Sequence, residues 1–164
     1  MRKILLAALL IAMPVSGNGQ AAANQQTDNQ QAPGFVLKDI KGRHARLSDY
    51  NGKVLLINFW ATWCAPCQAE MPALVELQKE YQARGLQIIG VTYPPENRSA
   101  VRKVMRRLKL NYPVLFGTRL MTDAYGIGDV LPVTIVVDRN GRIRDRILGM
   151  LEPDEFKEKV APLL

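Results

Sequence analysis

Apolar residues follow two different periods along the chain, and together they predict a sheet covered by helices. Val54–Trp60 is a continuous apolar run rich in β-branched and aromatic residues, and Leu86–Thr92 is a second run of this kind. Such runs are typical of strands that are buried on both faces. Between them, residues 66–84 carry an apolar stripe at helical spacing, and Gly85 ends the expected helix as a C-cap.

Shorter elements flank this centre. Residues 35–39 and 43–47 predict an N-terminal β-hairpin, because a Lys-Gly turn separates them. Residues 97–110 predict a second helix, with apolar positions at i, i+3, i+4 and i+7. A short strand over 112–116 and a short helix over 119–125 follow.

The C-terminal part predicts a hairpin and a closing helix. Residues 134–137 and 143–148 are the two strands of this hairpin, and the turn between them contains Asn140-Gly141. The last helix starts at Glu152. Strands that alternate with helices and end in a hairpin and a helix indicate an α/β fold, with a mixed sheet flanked by helices on both faces.

The N-terminal sequence predicts an export signal. Arg2 and Lys3 precede an apolar run over residues 4–15, which at about a dozen residues is shorter than the roughly 20 that span a membrane. A short apolar core behind a basic start is typical of a secretory signal peptide. We expect residues 1–23 to be a signal peptide, with an uncleaved N-terminal anchor as the alternative.

The rest of the chain divides into a tether and one domain. Residues 24–34 are mainly Gln, Asn and Ala, which predicts a flexible linker. Residues 35–164 are then the folded domain, in a periplasmic or other extracytoplasmic compartment where disulfides persist. We expect the domain to be a monomer.

Charge excludes one class of partner. The chain has 22 basic and 15 acidic residues, a net charge of +7 that is spread along the sequence, so we expect no nucleic-acid binding. Positive charge is concentrated in the second predicted helix, which carries cations and no acidic residue. A solvated face is the default interpretation, and attraction to anionic lipid or an acidic partner is the alternative. The cations are Arg98, Arg102, Lys103, Arg106, Arg107 and Lys109.

The two cysteines, Cys64 and Cys67, stand three positions apart, and such a pair can bind metal, close a turn or exchange electrons. Zinc needs at least three protein ligands, and His44 is the sole histidine, so we expect no metal. A disulfide that closes so short a loop adds little stability in the chain-entropy account. Redox exchange is therefore the favoured function.

The position of the pair assigns a role to each thiol. The pair lies where the central strand ends and a helix begins, and a helix N-terminus favours a thiolate. Pro66 suits the first helical turn because its missing N–H would be unpaired there. We expect Cys64 to attack a substrate disulfide and Cys67, one turn further, to resolve the mixed disulfide.

The run Trp63-Cys64-Ala65-Pro66-Cys67 resembles the thioredoxin superfamily. Residues 54–72 are similar to its exported TlpA/ResA-like branch, which includes cytochrome c maturation reductases, and residues 97–116 resemble the helix and strand that this branch inserts. The resemblance covers residues 35–164. It implies a thioredoxin-like mixed sheet with an N-terminal β-hairpin and this central helix–strand insertion.

The resemblance also implies further site residues. Pro132 falls where the family carries a cis-proline facing the cysteines, and Leu131 would offer backbone groups to an extended substrate. Trp63 would cover the active-site surface. Asn58 stands where thioredoxin has a buried aspartate, and an amide cannot accept a proton from Cys67. Glu70 is the acid at the ResA-like position, with a solvent-facing helix glutamate as the alternative.

The expected function is an exported thiol–disulfide oxidoreductase that needs no metal, flavin or nucleotide cofactor. The resemblance favours a reductase that receives electrons from a membrane thiol–disulfide donor and reduces disulfides in substrate proteins such as apocytochrome c. Three alternatives fit parts of the same pattern: a thiol peroxidase of the AhpC/TSA kind, a disulfide oxidase or isomerase, and a binding module in which the disulfide is only a staple.

Overall fold

The computed structural model describes residues 29–94 and 96–164, and in this part of the chain seven strands form one mixed sheet. The strands are β1 (Val36–Asp39), β2 (His44–Arg46), β3 (Val54–Trp60), β4 (Leu86–Thr92), β5 (Val114–Phe116), β6 (Val133–Val137) and β7 (Ile143–Leu148). Their order across the sheet is β2-β1-β5-β4-β3-β6-β7. β3 pairs in parallel with β4 and antiparallel with β6. The predicted α/β fold and both predicted hairpins are confirmed.

Four α-helices accompany the sheet in the described part of the chain, and they fall where the sequence predicted helices. They are α1 (Ala65–Tyr81), α2 (Arg98–Arg107), α3 (Arg119–Ala124) and α4 (Pro153–Val160). The expected first helix, 66–84, changes to a 3₁₀ turn over Gln82–Arg84 before it ends at Gly85. Gly85 has φ 98°, a left-handed conformation that glycine adopts without steric cost.

Side chains of β3 contribute to the core on both faces of the sheet. Leu55, Ile57 and Phe59 pack in the cluster that also holds Phe35 and Tyr125. The alternate positions of β3 point to the other face, because side chains alternate along a strand. There, Leu56 packs with residues of α1 and α4, and Trp60 packs with the cysteines and α2. Every residue of β3 is buried.

Three elements meet at the carboxyl end of β3. The strand ends at Trp60, and α1 begins only five residues later at Ala65. Because β6 is antiparallel to β3, its first residue, Val133, lies opposite Phe59 at this same end. The sheet thus brings the segment before β6 next to the N-terminus of α1.

The segment that precedes β1 packs against the domain, which differs from the expected linker over 24–34. Gln31 forms a β-bridge with Arg142, the Ala32 amide donates to the Gly141 carbonyl at 2.8 Å, and Ala32 is buried. The start of β7 offers backbone groups at a sheet edge, and this segment pairs with them. The packed unit therefore begins N-terminal to the expected boundary at Phe35.

The expected signal peptide over 1–23 and the first part of the linker, 24–28, lie outside the described residues. Among the residues that the structure describes, no helix has both the length and the apolar character needed to cross a bilayer.

Gly90 allows aromatic rings to approach β4 closely. A Cβ atom at this position would lie 2.9 Å from Nε1 of Trp60 and 3.5 Å from the Tyr112 ring. Both groups are buried, and the core around them is close-packed, so an added methyl group has no space without a shift of the rings.

We predict that Gly90→Ala lowers the free energy of unfolding by about 1–3 kcal/mol, because the added methyl group overpacks this site. Urea denaturation followed by circular dichroism measures the change. Gly128→Ala is the control, since a Cβ there meets no atom within 4 Å. Equal stability of the two variants would contradict the prediction.

Candidate active site

Cys64 and Cys67 are joined by a disulfide at the N-terminus of α1. Cys64 is the N-cap residue, and its sulfur accepts a hydrogen bond from the Cys67 amide at 3.3 Å. Pro66 lies in the first turn of α1, as predicted, and is exposed. The Cys64 sulfur therefore lies at the positive end of the helix dipole, where a thiolate is stabilised.

The two cysteine residues differ in exposure by less than the sequence predicts. In the disulfide form Cys64 is 4% exposed and Cys67 is 0% exposed. Trp63 is 66% exposed beside them, whereas Trp60 is fully buried. Both cysteines are buried, and Cys64 is the more exposed of the two.

The segment before β6 lies beside the disulfide. The Leu131–Pro132 peptide bond is cis, as predicted. Leu131 packs against the cluster that contains Cys64 and Cys67, and the Pro132 carbonyl accepts the Gly149 amide at 2.9 Å. The structure thus brings Leu131 and the cysteines together.

Glu70 is buried under α1, so the alternative of a solvent-facing helix glutamate is wrong. It is 2% exposed, and its Oε1 accepts a hydrogen bond from Asn58 Nδ2 at 2.7 Å. The same Asn58 nitrogen donates to Thr134 Oγ1 at 2.9 Å. The backbone amide of Leu151 also faces the Glu70 carboxyl group and favours its charged form. Asn58 of β3, itself bound to Thr134 of β6, therefore holds Oε1 of this carboxyl group in place, one turn beyond Cys67.

Burial sets the proton affinity of Glu70. It raises the pKa of Glu70 from 4.5 to about 7, and the hydrogen bonds from Asn58 and the Leu151 amide oppose this rise only partly. The carboxyl group therefore changes between its protonated and charged forms near neutral pH. A group of this kind can both accept and donate a proton.

Further buried polar atoms lie in the core around Glu70. Asn58 Oδ1, Trp60 Nε1, Glu70 Oε2 and Tyr112 OH are all buried without a hydrogen-bond partner among the described residues. Burial and, second, the charge of Glu70 raise the pKa of Tyr112, so its hydroxyl stays protonated. The sequence did not predict a place for Tyr112 at the site, because a tyrosine at the start of a predicted strand is typical of an ordinary core residue.

A hydrogen-bonded rim surrounds the loop that carries the cysteines. The Thr62 amide donates to Glu96 Oε1 at 2.6 Å, and Gln68 Nε2 donates to the Thr62 carbonyl at 2.5 Å. The Arg107 guanidinium in turn donates to Gln68 Oε1. The sequence did not predict that these residues meet at the site. Gln68 directly follows Cys67 and Arg107 is one of the cations of the second helix, whereas nothing in the local sequence marks Glu96.

One cleft gives Glu70 a route to the surface. It has a volume of about 560 Å³ and lies between α1 and the segment from Met150 to the first turn of α4. Glu70 lines it together with Pro72, Leu77 and Leu151.

Metal ligands do not converge in this region. The described residues contain no group of three or more His, Cys, Asp or Glu side chains that could hold an ion. His44 is exposed on β2, and β1, β5 and β4 separate that strand from β3.

Comparison with known proteins identifies the chemistry of the disulfide. Residues 29–146 match the model of the AhpC/TSA family. The chain is 36% identical over 161 residues to the thiol-disulfide oxidoreductase ResA of Geobacillus thermodenitrificans. This alignment covers 96% of this chain and 91% of the relative.

Solved structures agree with this match. A thiol:disulfide interchange protein of Chlorobium tepidum, from the thioredoxin family, superimposes with a TM-score of 0.75 at 28% identity, covering 82% of this chain and 96% of that one. A secreted thiol-disulfide isomerase of Corynebacterium glutamicum also has a TM-score of 0.75 and 28% identity, with 84% and 87% covered.

The cysteine motif alone favours a ResA-like protein over an AhpC/TSA peroxidase, and the AhpC/TSA model nevertheless spans this chain's Cys64–Cys67 site. The relative and the proteins of both solved structures are all named for reactions between thiols and disulfides. The chain therefore belongs to the AhpC/TSA family of thioredoxin-like proteins and is a ResA-like thiol–disulfide oxidoreductase.

Proposed function

We propose that this oxidoreductase is exported and reduces disulfides in extracytoplasmic proteins, with apocytochrome c as the leading substrate. The observation that carries the proposal is the buried Glu70, which lies one turn beyond Cys67 with a pKa of about 7. A proton acceptor at this place serves a buried thiol that must lose its proton to complete the exchange.

In the proposed reaction, the Cys64 thiolate attacks one sulfur of the substrate disulfide. The substrate S–S bond breaks, a mixed disulfide forms, and the released substrate sulfur takes up a proton. Cys67 then loses its proton and attacks the Cys64 sulfur, which forms the Cys64–Cys67 disulfide and releases the second substrate thiol. Two electrons pass to the substrate, which ends as two thiols.

The N-cap geometry supports Cys64 as the nucleophile. The hydrogen bond from the Cys67 amide and the helix dipole both favour a negative charge on the Cys64 sulfur. The dipole contributes about 0.3–1 kcal/mol at an exposed site and up to about 2 kcal/mol at a partly buried one. Cys67 is fully buried, which suits a resolving thiol that reacts only within the mixed disulfide.

Glu70 is the proposed acceptor for the Cys67 proton. Asn58 cannot accept that proton, but its amide donates to Glu70 Oε1 and so keeps the carboxyl group in position. The cleft that Glu70 lines offers a path by which the proton can reach solvent.

The proposed substrate site lies between α1 and the cis-proline loop. An extended substrate segment would pair with the backbone of Leu131, in the manner of an added strand. Trp63 and Pro66 are exposed beside Cys64 and would contact the same segment, and Pro132 would set the direction of the loop.

The proposals of export and of electron flow towards the substrate rest on the N-terminal sequence and on the relatives. A basic start and a short apolar run favour a signal peptide or an anchor, and one structural relative is a secreted protein. A dithiol in an oxidising compartment must be reduced again after each cycle. We therefore propose a membrane thiol–disulfide protein as the electron donor.

We predict that Cys67→Ser traps substrates as mixed disulfides on Cys64, since the resolving thiol is missing. Nonreducing electrophoresis and mass spectrometry of the captured proteins in the native organism identify them. Apocytochromes c are the expected partners, and Cys64→Ser is the control that traps none. Capture of many unrelated secreted proteins would contradict the apocytochrome assignment and favour a general reductase or isomerase.

A thiol peroxidase is the second candidate function, because the family model that matches the chain bears the AhpC/TSA name. Consumption of hydrogen peroxide by the reduced protein, measured beside reduction of a peptide disulfide, separates the two functions.

We predict that Glu70→Gln slows disulfide exchange at neutral pH by at least about tenfold, because a glutamine cannot accept the Cys67 proton. Stopped-flow tryptophan fluorescence follows the reaction of the reduced protein with a peptide disulfide. Glu76→Gln is the matched control, because Glu76 lies on the same helix and its side chain is 71% exposed. Equal rates for the two variants would refute the role of Glu70.

The same carboxyl group should make stability depend on pH. The pKa of Glu70 is higher in the folded protein than the ordinary 4.5. Its contribution to the free energy of unfolding is therefore fully present below pH 4.5 and is lost as pH rises through about 7. The change from 4.5 to about 7 corresponds to roughly 3 kcal/mol.

We predict that the oxidised protein loses roughly 3 kcal/mol of stability relative to Glu70→Gln between about pH 5 and pH 8. Glutamine is an uncharged mimic of the protonated acid, so the variant lacks this loss. Urea denaturation at both pH values measures the difference. Glu76→Gln should instead track the wild-type protein, and parallel curves for wild type and Glu70→Gln would rule out the buried titration.

A further inference from the structure

The outer face of α2 is a continuous basic surface. Six cations lie on or directly after this helix, all of them are exposed, and no acidic residue interrupts them between residues 98 and 110. We call this surface the basic face of α2. Its residues are Arg98, Arg102, Lys103, Arg106, Arg107 and Lys109.

These cations lack the carboxylate partners that other surface cations of the chain have. Elsewhere, Arg43 pairs with Asp39 at 2.8 Å, and Lys157 pairs with Glu80 at 3.1 Å. Within residues 29–94 and 96–164, no ion pair is found for any member of the basic face. Glu96 precedes the helix, but its Oε1 is bound to the Thr62 amide. Within the described residues, the positive charge of this face therefore has no ion-pair partner.

The opposite side of α2 packs on the redox site. Val101 and Val104 are buried in the same cluster as Cys64 and Cys67. At the surface, Arg107 donates to Gln68, which in turn donates to the Thr62 carbonyl next to the motif. The basic face therefore begins at the rim of the active site.

Several of its side chains are held in place by uncharged groups. The Arg98 guanidinium lies 5.5 Å from the centre of the Phe116 ring, and Arg102 donates to the Ile40 carbonyl at 3.3 Å. Held cations lose less conformational entropy when they bind an anion, which favours binding. Lys103 and Arg106 make no side-chain hydrogen bond within the described part of the chain, so they can meet a partner directly.

We propose that the basic face of α2 binds an acidic segment of the protein whose disulfide reacts with Cys64. The inference rests on the thiol–disulfide exchange activity and adds a charge preference to it. Thr62 and Gln68 border the loop of Cys64, and Arg107 of the basic face is hydrogen-bonded to Gln68, so a substrate chain that crosses this rim reaches the basic face. Opposite charge there would increase the rate of productive encounter.

A protein partner fits this position better than a lipid surface. The basic face and the disulfide lie on either side of one rim, so a bilayer against α2 would hinder access of a folded or extended substrate to Cys64. A segment of the substrate itself occupies both surfaces at once.

The test uses two synthetic disulfide peptides with the same central sequence, one flanked by glutamates and one flanked by lysines. Stopped-flow tryptophan fluorescence gives the exchange rate of the reduced protein with each peptide at low ionic strength. We expect the wild-type protein to react about tenfold faster with the acidic peptide. This preference should disappear at about 0.5 M salt, since screening weakens interactions between exposed charges.

Two double variants locate the effect. Lys103→Glu with Arg106→Glu should abolish or reverse the preference, whereas the rate with a small neutral disulfide should stay unchanged. Lys53→Glu with Arg84→Glu makes the same change in net charge. These residues precede β3 and β4 at the end of the sheet opposite the cysteines, and this variant should keep the preference.

Equal rates for the two peptides would overturn the proposal, and so would an equal loss of the peptide preference in the control variant. Binding of the wild-type protein to phosphatidylglycerol vesicles through Lys103 and Arg106, without a peptide preference, would also overturn it. The vesicle result would assign the face to lipid. Because the assay measures exchange itself, its outcome does not depend on whether the protein is a reductase or an oxidase in the cell. The neutral disulfide reports separately on that exchange activity.

Discussion

The complete burial of β3 is the constraint on which the site depends. The strand lies between β4 and β6 and packs on both faces, so a polar residue within it must find its partners inside the protein. Asn58 is that residue, and its amide donates to Glu70 and Thr134. Glu70 is itself 2% exposed, and this burial raises the pKa of its carboxyl group to about 7. The partner that a buried Asn58 requires thereby also positions an acid near Cys67.

The helix α2 joins packing and charge in one element. Its inner side, through Val101 and Val104, covers the cluster around the disulfide, while its outer side carries cations without acidic neighbours. This helix thus contributes to the shielding of Cys67 and carries the surface that we propose as a docking site. Its packing and its charge act through separate physical effects.

Local pattern was sufficient for most of the fold and for the centre of the site. The apolar runs predicted β3 and β4, the helical stripe predicted α1, and the Cys64–Cys67 spacing predicted the disulfide at its N-terminus. These features depend on residues close together in the chain. The packed segment at Gln31 was missed, because its pairing partner, Arg142, is more than a hundred residues away and the segment itself is polar.

The sequence by itself determined the chemistry: two cysteines with no set of metal ligands, placed between a buried strand and a helix. Only the tertiary structure decided the surroundings of those sulfurs. It placed Glu70 in the interior instead of in solvent, brought Glu96 to the Thr62 amide and set Arg107 beside Gln68. The physical reason is that proton affinity and the pairing of polar groups depend on burial and on neighbours from distant segments. Local sequence spacing shows neither.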